Sequence, residues 1–121
     1  MNVLIVEDDV QLIQSMASAC REKGWQASLA STGDQAFDEL HTGSFNVILL
    51  DVMLPGGMNG FDILEELKRR DQWKNIPVIM MTNLDSEEKT ARSIGAADYI
   101  VKANVSLDEI VERIEKVVSL V

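Results

Sequence analysis

Apolar and polar positions along this chain alternate between two periods. The runs "NVLIV" (residues 2–6), "NVILL" (46–50), "PVIMM" (77–81) and "DYIV" (98–101) are rich in β-branched side chains. They lack a polar face, which is the pattern of strands covered on both sides. A fifth run, "QASLA" (26–30), is less apolar and suits a sheet edge. Between the runs the apolar spacing becomes helical. Ile13, Met16, Ala17 and Cys20 make one stripe, Ala36, Phe37 and Leu40 a second, and Ile63, Leu64 and Leu67 a third. Ala91, Ile94 and Ala97 mark a fourth, and Leu107, Ile110, Val111, Ile114, Val117 and Val118 form the longest. Gly24, Gly43 and Gly95 stand just past three stripes, where helix ends favour glycine, and Ser86 and Ser106 are expected helix starts.

Strands alternating with helices predict an α/β protein with a parallel sheet, right-handed crossovers and helices on both faces. Ligands of such sheets bind beyond the carboxyl ends of the strands, where the strand order reverses. The residues that follow the runs are therefore the candidates for chemistry: Glu7 and Asp8 after the first, Asp51 after the third, Thr82 after the fourth and Lys102 after the fifth. Helices separate them in sequence, and a parallel sheet brings them to one rim. Two carboxylates about 4 Å apart repel by roughly 4 kcal/mol at an effective dielectric near 20, so the acids need a cationic partner. Carboxylates with a hydroxyl suit a hard, oxygen-seeking divalent cation such as Mg²⁺. An aspartate held beside a metal and a lysine can attack a phosphoryl group, a reaction that depends mainly on positioning and charge neutralisation.

Composition narrows the class of partner. The chain has 121 residues, 46% of them hydrophobic and 26% charged, enough for one domain with its own core. A formal net charge of −9 argues against direct contact with nucleic acid or an anionic membrane, both of which demand a basic patch. No apolar run approaches a membrane span, the start "MNVLIVED" carries no signal-peptide pattern, and the single cysteine, Cys20, has no disulfide partner, so a cytoplasmic location is expected.

"VLIVEDD", "NVILLDVMLP", "GFDILEELK", "PVIMMTN" and "GAADYIVK" together resemble the motifs of the two-component response-regulator receiver domain, in order and at nearly the usual spacing over essentially the whole chain. The chain resembles a receiver of the chemotaxis-type, single-domain kind. The resemblance implies a doubly wound (βα)5, flavodoxin-like three-layer sandwich, with a parallel five-stranded sheet in the order 2-1-3-4-5. It implies one receiver domain over residues 1–121, with no output domain, either free-standing or part of a longer regulator. Asp51 would be the phosphoacceptor. Mg²⁺, with Mn²⁺ as a substitute, would bind Asp8, Glu7 mainly through water, Asp51 and the backbone carbonyl of Met53. Thr82 would be the switch hydroxyl, Lys102 the counter-ion, and Tyr99 either the aromatic that turns inward on activation or simple sheet packing. Asp9 is expected to start the first helix.

By the same resemblance the partners are a histidine kinase or a histidine phosphotransfer protein, and a downstream protein recognising the surface of the fourth helix, fifth strand and fifth helix. A monomer or a weak, phosphorylation-dependent dimer is expected. Such a domain catalyses only its own phosphorylation and dephosphorylation. Alternatives are a receiver-fold adaptor that is never phosphorylated and an aspartyl-phosphate phosphatase. The phosphatase pattern, Asp-x-Asp after the first strand, is absent from Glu7-Asp8-Asp9, and a flavodoxin is disfavoured by acids where a cofactor phosphate would need N–H donors.

Three positions depart from the family pattern. The segment from Asp51 to Gly60 is one residue longer than usual, and Gly56 and Gly57 are expected to absorb the extra residue in a bulge. Ala103 replaces the common proline after the lysine. A cis Lys102–Ala103 bond would cost about 3–4 kcal/mol, so a trans bond is expected and the reach of Lys102 toward Asp51 becomes an open question. Asn83 stands where a very small residue is preferred and could narrow access to Asp51. Cys20 on an apolar stripe is expected to be an inert core thiol, His41 an exposed helix-end residue, and the acids Asp108, Glu109, Glu112 and Glu115 a solvated face. Trp25 and Trp73 fall between elements, as packing or partner contacts.

Overall fold

The computed structural model of the chain describes residues 1–83 and 85–120. Leu84 and Val121, which belong to the expected domain of residues 1–121, lie outside the described residues. Strands β1 (Asn2–Val6), β2 (Gln26–Ala30), β3 (Val47–Asp51), β4 (Val78–Thr82) and β5 (Asp98–Val101) alternate with helices α1 (Val10–Glu22), α2 (Gly33–Thr42), α3 (Gly60–Arg69), α4 (Glu88–Ile94) and α5 (Leu107–Ser119). All pairings are parallel and the sheet order is β2-β1-β3-β4-β5. The flavodoxin-like expectation therefore holds.

Side-chain alternation along the strands divides the core into two layers. Leu4, Val6, Ile48, Leu50, Val78, Met80 and Tyr99 pack with α2, α3 and α4 through residues such as Ala36, Leu40, Ile63, Leu64, Leu67 and Ala91. Val3, Ile5, Val47, Leu49, Ile79, Met81 and Ile100 face Ile13, Met16, Ala17 and Cys20 of α1 and Ile110, Ile114 and Val117 of α5. The edge strand β2 is mostly half-buried, as its composition predicted. Burial raises the thiol of Cys20 to about 11, against a smaller opposing effect of Arg21, which makes it the inert core group expected.

Local chemistry sets most helix boundaries. Asp9 caps α1 by accepting from Leu12 N–H, Thr32 caps α2, and Ser106 caps α5 by accepting from Glu109 N–H. Asn59 and Asp62 form a reciprocal capping box on α3. The expectation for Ser86 fails: it lies within a 3-10 turn (Asp85–Glu87), and α4 follows with Glu87 at its cap and no side-chain cap bond. Ala97 is likewise misplaced, because α4 ends at Gly95 with φ +128° and the buried residue beyond it is Ala96. The runs expected at 46–50 and 77–81 each slide by one residue, so Asp51 and Thr82 end their strands instead of following them.

Candidate functional site

Register delivers the candidate residues to one place. Val6 pairs with Leu50, so Glu7 and Asp51 come level one residue further on; Asp51 pairs with Met81, and Thr82 with Val101. Glu7, Asp8, Asp9, Asp51, Met53, Thr82, Asn83 and Lys102 line one cavity of about 500 Å³ at the carboxyl ends of β1, β3, β4 and β5. Glu7, Asp51 and Thr82 are buried, while Asp8 and Asn83 are exposed. Each of Glu7, Asp8 and Asp51 offers a carboxylate oxygen, and these atoms lie within 4.8 Å of one another. This is the geometry that the crowding of acids at the strand ends anticipated.

Lys102 supplies the nearest positive charge. Its Nζ donates to Glu7 Oε1 and lies 3.0 Å from Asp51 Oδ2. Burial works against the ammonium charge, but the hydrogen bonds to Glu7 and Asp51, with the charges of both carboxylates, hold its pKa above the ordinary lysine value. The question raised by Ala103 is thus resolved: no cis peptide bond occurs among the described residues, and a 3-10 turn (Lys102–Asn104) still delivers the lysine to Asp51. Asp51 Oδ1 accepts from Met53 N–H at 3.3 Å, and Glu7 Oε2 accepts from Asp9 N–H at 3.0 Å. These bonds fix both carboxylates from the backbone side.

The lengthened loop after β3 keeps the aspartate in place. Gly56 adopts φ +93°, a conformation favouring glycine, while Gly57 does not. One of the two expected glycines thus carries the irregular backbone. At the far end of the loop, Gly60 N–H donates to Val52 O at 2.8 Å, and a Cβ at position 60 would fall 2.1 Å from Asp51 O. The start of α3 can approach β3 this closely only because residue 60 has no side chain. Tyr99 is buried against the layer of α2, α3 and α4.

Sequence reasoning missed a second ionic cluster, in which buried Asp98 meets two partly exposed arginines. Asp98 accepts from Arg113 Nε at 2.6 Å and Nη2 at 2.7 Å, from Arg92 Nη2 at 3.2 Å, and from Tyr99 N–H at 2.8 Å. Arg113 Nη2 also donates to Tyr99 O at 3.0 Å. Burial pushes the Asp98 carboxyl up, but the bonds from Arg113 and Tyr99, then the charges of Arg113 and Arg92, hold it below the ordinary aspartate value. The available signal was an acid opening a run otherwise buried on both faces. Trp73, expected between elements, is buried against Phe37 and edge-on to the exposed His41, with ring centroids 5.5 and 4.9 Å away.

The doubly wound sheet and the acid-lined cleft at its strand ends define a flavodoxin-like α/β protein with Glu7, Asp8 and Asp51 gathered on its polar rim. Comparison with known proteins takes this further: the profile of the response regulator receiver domain matches residues 3–115. The chain belongs to that family, whose members are signalling switches and not turnover enzymes. It is 37% identical over 118 residues to the sensory transduction protein RegX3 of Mycolicibacterium smegmatis, covering 96% of this chain and 50% of that protein. It is 37% identical over 117 residues to the phosphate regulon transcriptional regulatory protein PhoB of Escherichia coli, covering 95% of this chain and 50% of PhoB. The chain thus spans about half the length of these curated relatives. A Francisella response regulator receiver domain superposes with a TM-score of 0.88 at 29% identity, over 98% of this chain and 96% of the other. No helix among the described residues is long and apolar enough to cross a membrane.

Proposed function

We propose that this receiver domain is a phosphorylation-operated signalling switch in which Asp51 accepts a phosphoryl group from a histidine kinase or a histidine phosphotransfer protein. The convergence of buried Asp51 with Glu7, Asp8 and Lys102 in one cleft carries this reading. An oxygen of Asp51 forms the new bond to phosphorus as the bond to the donor histidine breaks. Met53 N–H, bonded to Oδ1, orients the carboxylate, and the Lys102 ammonium offsets charge on Asp51 and on the arriving oxygens. The hydroxyl of Thr82, at the cleft wall, is the donor for a phosphoryl oxygen.

The donor set of Glu7, Asp8 and Asp51 consists of hard oxygens with one exposed member, which fits a cation that keeps part of its water. Mg²⁺, or Mn²⁺ in its place, would be held by these carboxylates and the carbonyl of Met53, and when bound supplies positive charge at the phosphoryl oxygens. The phosphorylated state favours a different arrangement of Thr82, Tyr99 and the surface of α4, β5 and α5. A downstream protein of the cytoplasm reads that change through its differential affinity for the two states.

Intact-mass measurement after incubation with acetyl phosphate and Mg²⁺ tests the assignment. The protein should gain the mass of one phosphoryl group and Asp51→Asn should gain none. Equal uptake by the variant would remove Asp51 from the mechanism.

A further inference from the structure

One residue lining the acid cleft, Met53, serves phosphoryl transfer through its backbone while its side chain has no part in it. Met53 follows Asp51 by two residues, is 66% exposed, and lines the cavity with Thr82, Asn83 and Lys102. The other methionines differ sharply. Met16, Met80 and Met81 are at most 1% exposed, Met58 is half-buried with its methyl group against Gly33, and Met1 is 38% exposed at the amino end of β1. The most exposed methionine of the molecule therefore lines the cleft that holds its buried aspartate.

We propose that Met53 is a peroxide-sensitive modification site whose oxidation shortens the life of the phosphoryl group on Asp51. The regulatory half rests on the phosphorylation reading above; the modification itself does not. The Met53 sulfur takes one oxygen from hydrogen peroxide: the S–O bond forms as the O–O bond breaks, and one water leaves. Sulfur is oxidised by two electrons and the peroxide is reduced by two. A flexible apolar group becomes a polar one with a strong acceptor oxygen. The thioether offers water little at the mouth of the cleft, whereas the sulfoxide oxygen can accept a hydrogen bond from a water approaching the phosphoryl group. The expected acceleration of hydrolysis is about threefold, the scale of one added hydrogen bond to the attacking water.

Peptide mass mapping of the folded protein treated with hydrogen peroxide tests the modification. Met53 should gain oxygen well ahead of Met58, and Met16, Met80 and Met81 should stay unmodified. Met58 reacting as fast as Met53 would overturn the assignment. Treated and untreated protein are then loaded with acetyl phosphate and Mg²⁺, the donor is removed, and loss of the phosphoryl group is followed by intact mass. Treatment should shorten the half-life about threefold in the protein itself, and leave the ratio of treated to untreated half-life at one in Met53→Leu. An unchanged half-life in the oxidised protein, or an equal response in Met53→Leu, refutes the regulatory half. Absence of phosphoryl uptake in untreated protein refutes the reading of Asp51 and the regulation built on it, and the oxidation map still decides whether Met53 is the site.

Discussion

Replacing Gly60 with alanine probes the contact between the start of α3 and the end of β3. The added Cβ would lie 2.1 Å from Asp51 O, 2.7 Å from Val52 Cα and 2.9 Å from the Asp51 carbonyl carbon. All three neighbours are backbone, so no side chain can rotate away, and helix and strand must part by about 1 Å in a close-packed interior. Such overpacking costs about 3 kcal/mol, and stretching the Gly60–Val52 hydrogen bond adds about 1 kcal/mol. Against this, removing a glycine lowers the entropy of the unfolded chain and returns only about 0.4–1 kcal/mol. The net loss of about 3 kcal/mol is a large share of the ~5–15 kcal/mol that stabilises a typical domain. With an unfolding entropy of about 2.1 cal/mol/K per residue, it lowers the thermal midpoint by about 12 °C. Gly57 provides the control, since a Cβ there meets nothing within 4 Å and its φ is not positive. Gly57→Ala should be neutral or stabilising by up to about 1 kcal/mol. Thermal and urea unfolding followed by circular dichroism measure both. A Gly60→Ala midpoint equal to or above that of the unsubstituted protein would refute the steric argument, as would equal losses in the two variants.

Asp98→Asn should lower stability by about 2 kcal/mol at neutral pH, the usual cost of breaking a buried pair discounted because the Arg113 side chain is 35% exposed. The Asp98 carboxyl is held below its ordinary value, so its contribution is present above the unfolded value of about 3.9 and is lost as pH falls through the lower folded value. Unfolding midpoints of the two proteins should therefore converge as pH falls through that lower folded value, and a constant gap would argue against the ion pair. Cys20, with its thiol raised to about 11, should resist alkylation at pH 8 in the folded protein and react fully in urea. Rapid labelling under native conditions would contradict its burial.

The apolar stripe of α1 was legible because its four expected residues, Ile13, Met16, Ala17 and Cys20, are the ones buried. Local physics suffices where the signal is periodic and strong. At α4, three apolar positions and a serine left the start and end of the helix undetermined, and a 3-10 turn took the place of the expected cap. Among site residues, strand-end position pointed to Glu7, Asp8, Asp51, Thr82 and Lys102, because a parallel sheet must gather its carboxyl ends. The sheet order came from the family resemblance, since pairing depends on contacts between residues far apart in the chain.

Side-chain reach and ionic partnership were decided only in three dimensions. The reach of Lys102 could not be settled from "VKAN", because a trans bond limits one route to Asp51 and says nothing of the 3-10 turn that provides another. Nothing in the spacing between Asp98 and Arg113 announces their pairing, which arises because α5 packs back across β5. Gly60 was visible only as the end of a lengthened loop; its close approach to Asp51 O is a property of two backbones meeting. Sequence by itself determined which residues could form strands, helices and an acidic rim, because those depend on short-range preference and periodicity. Tertiary structure decided which charges meet and which backbones touch, because such contacts exist only after distant segments have packed.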